Sequence, residues 1–228
     1  MKKNLLLLIV LFLLSAELNA QDRTRPFDFI FRMGPNLSWF KSNSDAVSSN
    51  GPIVGFSWGA LFDVPVQNNY SFVSGFNIHF AGGNIDYEGK KSNSDVLIKE
   101  RYDLKYLEFP VMLKIKTNEV ERLQFYGQIG LGTSFRLNSS VKRSYELPAT
   151  SSLHFASETM NSDNLTSFIR ESLIIGLGTQ YTVADNLKVF GDLNFNNGFT
   201  DILKKGTYNT SDPKLISNFV ELNLGLYF

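Results

Sequence analysis

Residues 219–228 read Phe-Val-Glu-Leu-Asn-Leu-Gly-Leu-Tyr-Phe and end the chain. Val220, Leu222, Leu224, Leu226 and Phe228 form an apolar row, while Glu221, Asn223, Gly225 and Tyr227 fill the other. Successive side chains of a strand point to opposite faces, so this alternation predicts a strand with one apolar and one polar side. A water-soluble domain seldom runs such a strand to its last residue. The stretch therefore predicts a closing strand in a larger sheet.

The same alternation recurs upstream and predicts strands over Phe27–Trp39, Ile53–Val64, Tyr70–Ala81, Tyr102–Lys116, Leu123–Leu137, Ser167–Tyr181 and Leu187–Phe195, eight in all with the last. In Tyr102–Lys116 the apolar residues Tyr102, Leu104 and Tyr106 are out of phase with Leu107, Phe109, Val111, Leu113 and Ile115. A bulge near Tyr106 would reconcile the halves, and Pro110, which lacks a ladder donor, implies a local irregularity. Short connections are expected at Pro65–Asn69, Thr117–Glu121 and Ala184–Asn186. Long polar loops are expected at Lys41–Pro52, Gly82–Arg101, Asn138–Thr166 and Asn196–Ser217. Short turns on one side and long loops on the other suit an up-and-down antiparallel barrel.

Such a barrel could be water-soluble with its apolar row inside, or membrane-embedded with that row outside. The composition of the rows decides between them. The polar row is rich in glycine (55, 59, 75, 130, 132, 176, 178) and in charge. Glycine relieves crowding in a narrow interior and would gain nothing on a wet exterior. The apolar row is bulky and aromatic on every strand. Tracing strands up and down places Phe27, Phe62, Tyr70, Phe72, Tyr181 and Phe228 at one rim and Trp39, Phe80, Phe135 and Phe195 at the other, as two interfacial girdles. A mean hydropathy of −0.09 is compatible with this, since lipid-facing and lumen-facing residues average out.

The N-terminus agrees. Lys2 and Lys3 precede the unbroken apolar run Leu5–Leu14, and Leu18-Asn19-Ala20 offers a cleavage site before Gln21. This is a secretory signal peptide over residues 1–20, too short for a membrane-spanning helix, with the barrel domain at 21–228. The chain has no cysteine, which excludes disulfides, thiolate metal sites and lipoprotein anchoring. A formal net charge of zero gives no electrostatic case for nucleic acid. The expected location is the bacterial outer membrane, with both termini periplasmic.

Two resemblances point the same way. The final strand resembles the C-terminal signal that the outer-membrane assembly machinery reads, with Phe228, Leu226 and Leu224 as its core. Tyr106-Leu-Glu-Phe-Pro-Val-Met-Leu-Lys114 resembles the YLEIP-LLLK strand of the PorT-type outer-membrane β-barrel family of Bacteroidetes. Pro52-Ile-Val-Gly-Phe-Ser-Trp-Gly59 resembles that family's second strand, and Asn197-Gly-Phe-Thr-Asp-Ile202 its last outer loop. The resemblance implies an eight-stranded outer-membrane barrel and brings to mind the founding type's part in protein secretion and surface attachment. No motif ties this chain to that role rather than to the wider family.

The largest constellation of chemistry is the inward charge set Asp28, Arg32, Asp63, His79, Glu108, Lys114, Arg136, Arg170, Asp192 and Glu221. Its mixed signs favour a salt-bridged plug over a selective pore, and a narrow passive channel for ions or small solutes is the alternative. His79 alone makes no metal site, which needs three or four ligands. His154, near Ser151 and Ser152, reads as part of a polar loop rather than a nucleophilic triad. No cofactor and no catalytic activity are expected. The longest loop carries Tyr145, Leu153 and Phe155, a candidate partner-docking set. The expected function is a structural or interaction module of the cell surface or secretion apparatus. Its partners would be outer-membrane lipid, the assembly machinery, and a surface or secretion-system protein.

Overall fold

The computed structural model describes residues 26–44, 47–91, 94–146, 156–204 and 213–228. The expected signal peptide and the loop residues Leu153, His154 and Phe155 lie outside the described residues. The strands are β1 (Asp28–Ser42), β2 (Ser48–Ser49), β3 (Ile53–Gln67), β4 (Tyr70–Lys91), β5 (Ser94–Lys116), β6 (Leu123–Glu146), β7 (Glu158–Asn161), β8 (Ile169–Ala184), β9 (Leu187–Gly198) and β10 (Leu215–Tyr227). Setting aside the short β2 and β7, eight strands form a closed antiparallel ring, β1-β3-β4-β5-β6-β8-β9-β10, with β10 returning to β1. Closure removes the sheet edges and gives main-chain groups partners without water. At the seam Phe29 and Phe228 exchange main-chain hydrogen bonds of 3.2 and 2.9 Å. Phe29 is therefore the cross-seam neighbour of Phe228. Phe27 and Phe29 both pack on Phe62, at 5.3 and 5.5 Å between ring centroids.

The apolar rows face outward. Val54, Leu177 and Leu224 are 74%, 71% and 63% exposed, while Arg32, Glu108, Lys114 and Arg170 are buried inside. On β4 the lipid-facing row runs from Tyr70 through Phe72 and Phe76 to Phe80. That is roughly the 9–11 tilted residues a strand needs to cross a bilayer. The rings at the rim holding Phe228 are exposed as expected. At the opposite rim Trp39 stacks on Phe195 at 6.3 Å, and Phe135 lies 6.1 Å from Phe109 and 5.7 Å from Phe168.

Three strands, β4, β5 and β6, far outrun their expected ends. Residues 82–91 and 94–101 are not polar loop: β4 and β5 continue as a paired ladder from Gly82↔Asp103 to Lys91↔Ser94. Likewise β6 continues to Glu146, with β7 paired along it. Tyr145 thus ends a strand instead of sitting in a loop. Beyond the aromatic belt the inward residues are Ile85, Tyr87, Val96, Ile98, Tyr102 and Leu104, and the outward ones are Asn84, Asp86, Lys99, Arg101 and Asp103. The pattern changes sense because the medium outside changes from lipid to water.

This also corrects the phase break expected in β5. Tyr102, Leu104, Tyr106, Glu108, Met112 and Lys114 all face inward, without interruption. A bulge exists beside Tyr106, but on β6. Lys105 pairs with Asn138 and Tyr106 with Arg136, leaving Leu137 extra. The inward set of β6 accordingly shifts from Ser134 to Ser139 and Val141. Pro110 does break a ladder: β4 and β5 pair at Ser74↔Val111 and next at Asn77↔Glu108. Ser74 Oγ donates to the Pro110 carbonyl at 2.9 Å across this gap. Gly75 bends there with φ 150°, and a side chain would meet the Ala60 carbonyl at 2.4 Å.

Two connections at the Phe228 end are tight, Asn68–Asn69 and Asp185–Asn186, and the third spans 117–122. In the third, Glu121 and Arg122 adopt φ 50° and 71° between Val120 and Leu123, whose main chains exchange bonds of 2.9 and 2.9 Å. Two consecutive positive φ values make a type I′ turn, which asparagine and glycine occupy with less strain. The double substitution Glu121→Asn, Arg122→Gly should raise folding stability by about 1 kcal/mol. Urea unfolding in lipid vesicles checks this: the midpoint should rise with an unchanged slope.

Candidate functional site

The lumen is filled in layers, each set by the inward row of the strands. Nearest the Phe228 end lies Lys114, whose Nζ sits 3.2 Å from Asp63 Oδ2 and donates to Gln180 Oε1 at 3.1 Å and to the Tyr227 hydroxyl. It also lies 3.9 Å over the Tyr126 ring and 4.5 Å over that of Tyr227. Asp28 faces Asp63 across β1–β3 and stays half-buried at the rim. An apolar layer follows, containing Ile30, Leu61, Val73, Met112, Ile174 and Phe190.

The middle layer holds most of the charge. Glu108 accepts hydrogen bonds from Asn77 at 3.2 Å and Asn196 at 2.9 Å and faces Arg170 at 4.0 Å. Arg170 donates to Asn196 Oδ1 at 2.6 Å and to the Ser217 carbonyl at 2.9 Å, with its guanidinium 5.0 Å over Phe219. Arg32 donates to Asn77 at 3.0 Å and faces Glu221 at 3.9 Å. His79 lies between two carboxylates, 3.1 Å from Glu108 and 2.8 Å from Glu221. Those two contacts are close but lack hydrogen-bond alignment at His79 Nε2 and Glu221 Oε1. Asp192 accepts from the Tyr126 hydroxyl at 3.0 Å and from Asn194 and Asn223 at 2.8 and 2.9 Å. Removing charges from water is costly, and these opposed signs and amide donors offset that cost. Glycine makes the room: a side chain at Gly176 would lie 1.8 Å from Asn194 Oδ1, and one at Gly178 would meet Tyr126 and Asp192 at 2.5 and 2.6 Å.

Beyond the belt an apolar plug closes the interior. Phe40, Ile85, Tyr102, Leu104, Tyr106, Val141 and Leu215 project from strands, and Val47, Ile202 and Leu203 fold in from connections. Asp201 Oδ1 holds this corner by accepting from the Leu203 and Leu215 amides at 3.0 Å each. Above it, buried Glu100 accepts from the Tyr87 and Tyr102 hydroxyls at 3.0 Å each and from Arg143 Nε at 2.6 Å. Burial, and then the Glu100 carboxylate, push the Tyr87 hydroxyl above its usual range. Burial opposes the charge on Arg143, but Glu100 outweighs it and holds the guanidinium above its usual value.

The structure brings Arg32, His79, Glu108, Arg170, Asp192 and Glu221 together, with Lys114 and Asp63 as a separate pair below. Arg136 stands apart and pairs with Asp163, outside the central network. Tyr145 lies under Lys91 Nζ, 3.9 Å from its ring centroid. The charges stand out in the sequence, whereas nothing there assigns their amide and phenol partners, Asn77, Asn194, Asn196, Asn223, Gln180, Tyr126 and Tyr227, to the network. All stand on the inward row, which was the available signal. In Tyr106–Lys114 every even residue faces inward, so that motif supplies Glu108 and Lys114 at once.

Ser57, His79 and Glu108 have the spacing of a hydrolytic triad, with Ser57 Oγ 3.0 Å from His79 Nδ1. All three are enclosed, at 3%, 1% and 0% exposure. Among the described residues no cluster of His, Asp and Glu could hold a metal ion.

Residues 19–204 match the model of the outer membrane protein beta-barrel domain family. The chain belongs to that family. Its lipid-facing exterior and this membership together give an outer-membrane location. Among solved structures it is similar to Neisserial surface protein A (13% identity, 87% of this chain and 95% of that one, TM-score 0.49). It is also similar to OprG of Pseudomonas aeruginosa (13%, 88% and 95%, TM-score 0.45) and to the outer membrane protease OmpT of Escherichia coli (10%, 92% and 99%, TM-score 0.42). No curated protein matches the chain.

The buried pair gives a direct test of the network's energetics. Lys114→Met leaves Asp63 uncompensated and should cost about 3–5 kcal/mol in unfolding free energy. The double variant Lys114→Met, Asp63→Leu should recover most of that loss, as measured by urea titration of the refolded barrel. A double variant no more stable than the single one would contradict the pairing.

Proposed function

We propose that this protein is a non-enzymatic structural and interaction module of the bacterial surface, with a closed lumen, periplasmic termini and an outward-projecting β4–β6 sheet. The observation that carries this reading is the continuous filling of the interior. Two apolar layers bracket a paired charge network, which speaks for a plug and against a path for ions. The orientation is supported by short turns at the Phe228 end and by long strands and connections at the other. A place in the PorT-type branch of the family is supported by Tyr106–Lys114, whose inward residues build the network. The same observations favour a non-enzymatic role, since His79 is sealed among carboxylates and amides.

In this reading the projecting sheet of β4, β5 and β6 is the part offered to a partner, a surface or secretion-system protein. It is braced by the Glu100–Arg143 pair and by salt bridges of Lys91 with Glu158 at 2.7 Å and of Lys99 with Glu146. A braced scaffold presents residues at fixed spacing, which suits recognition.

Two measurements test this. The purified barrel in a planar bilayer should be electrically silent, and reproducible conductance altered by Arg170→Glu would favour the passive channel. For orientation, the natural absence of cysteine allows clean labelling. Lys90→Cys should react with a membrane-impermeant maleimide in intact cells, and Asp185→Cys only after the outer membrane is opened. The reverse result would invert the topology.

A further inference from the structure

Where the apolar band ends, the outward face of β4, β5 and β6 changes within one residue from rings to cations. Outward of the Leu137 bulge the strands are in register. Phe80 faces Lys105, which faces Asn138; the next outward row is Gly82, Asp103 and Ser140; the next is Asn84, Arg101 and Lys142. Lys105 Nζ lies 5.0 Å over the Phe80 ring, at the boundary itself. A notch of about 250 Å³ lies here, lined by Val54 and Phe80 and by the polar residues Lys105, Asn138, Ser140 and Asp103, the last of which is paired with Arg101. A second cleft of about 210 Å³ lies further out, lined by Lys99, Arg101 and Lys142 together with Asn84, Asp86 and Glu100.

The charges are not balanced within this surface. Arg101 is held by Asp103 at 3.1 Å, Lys99 by Glu146, and Asp86 accepts from Asn50 at 2.6 Å. Lys105 and Lys142 make no ion pair among the described residues. Lys142 also stands directly across the ladder from Arg101, and like charges so placed are destabilising unless an anion relieves them. The whole chain is neutral, so this is a local arrangement and not a general basic excess. Lysine acts on phosphate as a point charge, and Asn138 and Ser140 supply neutral donors beside it.

We propose that this face binds the phosphate-bearing headgroup of a membrane lipid, with the phosphate on Lys105 at the notch, a further anionic group on Lys142, and the acyl chain against Val54 and Phe80. The apolar lip beneath the cations selects an amphiphile over a free anion. The site rests on the membrane-embedded reading of the exterior. It needs neither the proposed topology nor the closed lumen, so binding can fail while those stand.

Native mass spectrometry of the refolded barrel in zwitterionic detergent tests it, using phosphatidic acid, diacylglycerol with the same chains, and inorganic phosphate as probes. Phosphatidic acid should bind wild type at least about tenfold more tightly than Lys105→Gln, Lys142→Gln. The variant Lys105→Arg, Lys142→Arg should retain binding, and each variant should keep the heat-modifiable gel mobility of a folded barrel. Diacylglycerol and inorganic phosphate should bind neither protein measurably. Equal affinity for phosphatidic acid in wild type and the glutamine variant would overturn the proposal. So would diacylglycerol binding as tightly as phosphatidic acid, or inorganic phosphate competing as well as the lipid.

Discussion

The hydrogen-bonded seam between β1 and β10 is the contact on which the rest of the structure depends. Joining Phe29 to Phe228 closes eight strands into a ring, and a ring of that size leaves an interior only about as wide as the side chains that line it. Such a lumen cannot hydrate its charges freely, so the inward side chains must satisfy one another. The alternation of strand side chains then fixes which residues face that demand. Glycines at 176 and 178 are consequences of the same geometry, since larger residues would occupy the space that Asn194, Tyr126 and Asp192 already fill. Glu108 shows the logic most fully: one buried carboxylate organises Asn77, His79, Asn196 and Arg170 from three other strands.

Along its length the barrel meets two solvents, and its side-chain pattern reverses where the solvent does. Within the aromatic belts the exterior is apolar and the interior polar. Beyond Phe80 the exterior turns to Asp86, Lys99 and Arg101, and the interior to Ile85, Tyr102, Leu104 and Val141. The outer part is thus folded like a water-soluble sheet with its own apolar core, on a membrane-embedded base. Ile202 and Leu203 close that core from a connection, with Asp201 fixing the backbone that delivers them. This division puts rigidity in the lumen and chemical variety on the projecting sheet.

The same reversal explains what could and could not be read in the residues. Every membrane-crossing strand was legible, because lipid on one side and a crowded lumen on the other enforce strict alternation. The sense of the barrel was legible from glycine and charge on the inward row. The outer extensions of β4 and β5 are not legible, because alternation with polar residues outward resembles polar irregular chain beside lipid-facing strands. The supposed phase break at Tyr106 had the same origin: the inward direction held, and only the polarity changed. The bulge showed its presence through that region but not its strand, since Leu137 on β6 carries it. Of the network, the charged members were evident and the amide and phenol partners were not. A lone Asn or Tyr on an inward row has many roles until the cross-barrel neighbours are known. The plug from Val47, Ile202 and Leu203 depended on non-local folding of connections, which periodicity does not report.

The central claim is that the apolar row faces lipid and the polar row fills the lumen. Nuclear Overhauser contacts between lipid acyl chains and assigned side chains, measured with the protein in nanodiscs, test it most directly. Acyl-chain contacts should reach the exposed Leu131, Leu177 and Leu224, and none the enclosed Val73, Met112 and Ile174. Contacts to the second group, or their absence from the first, would contradict it.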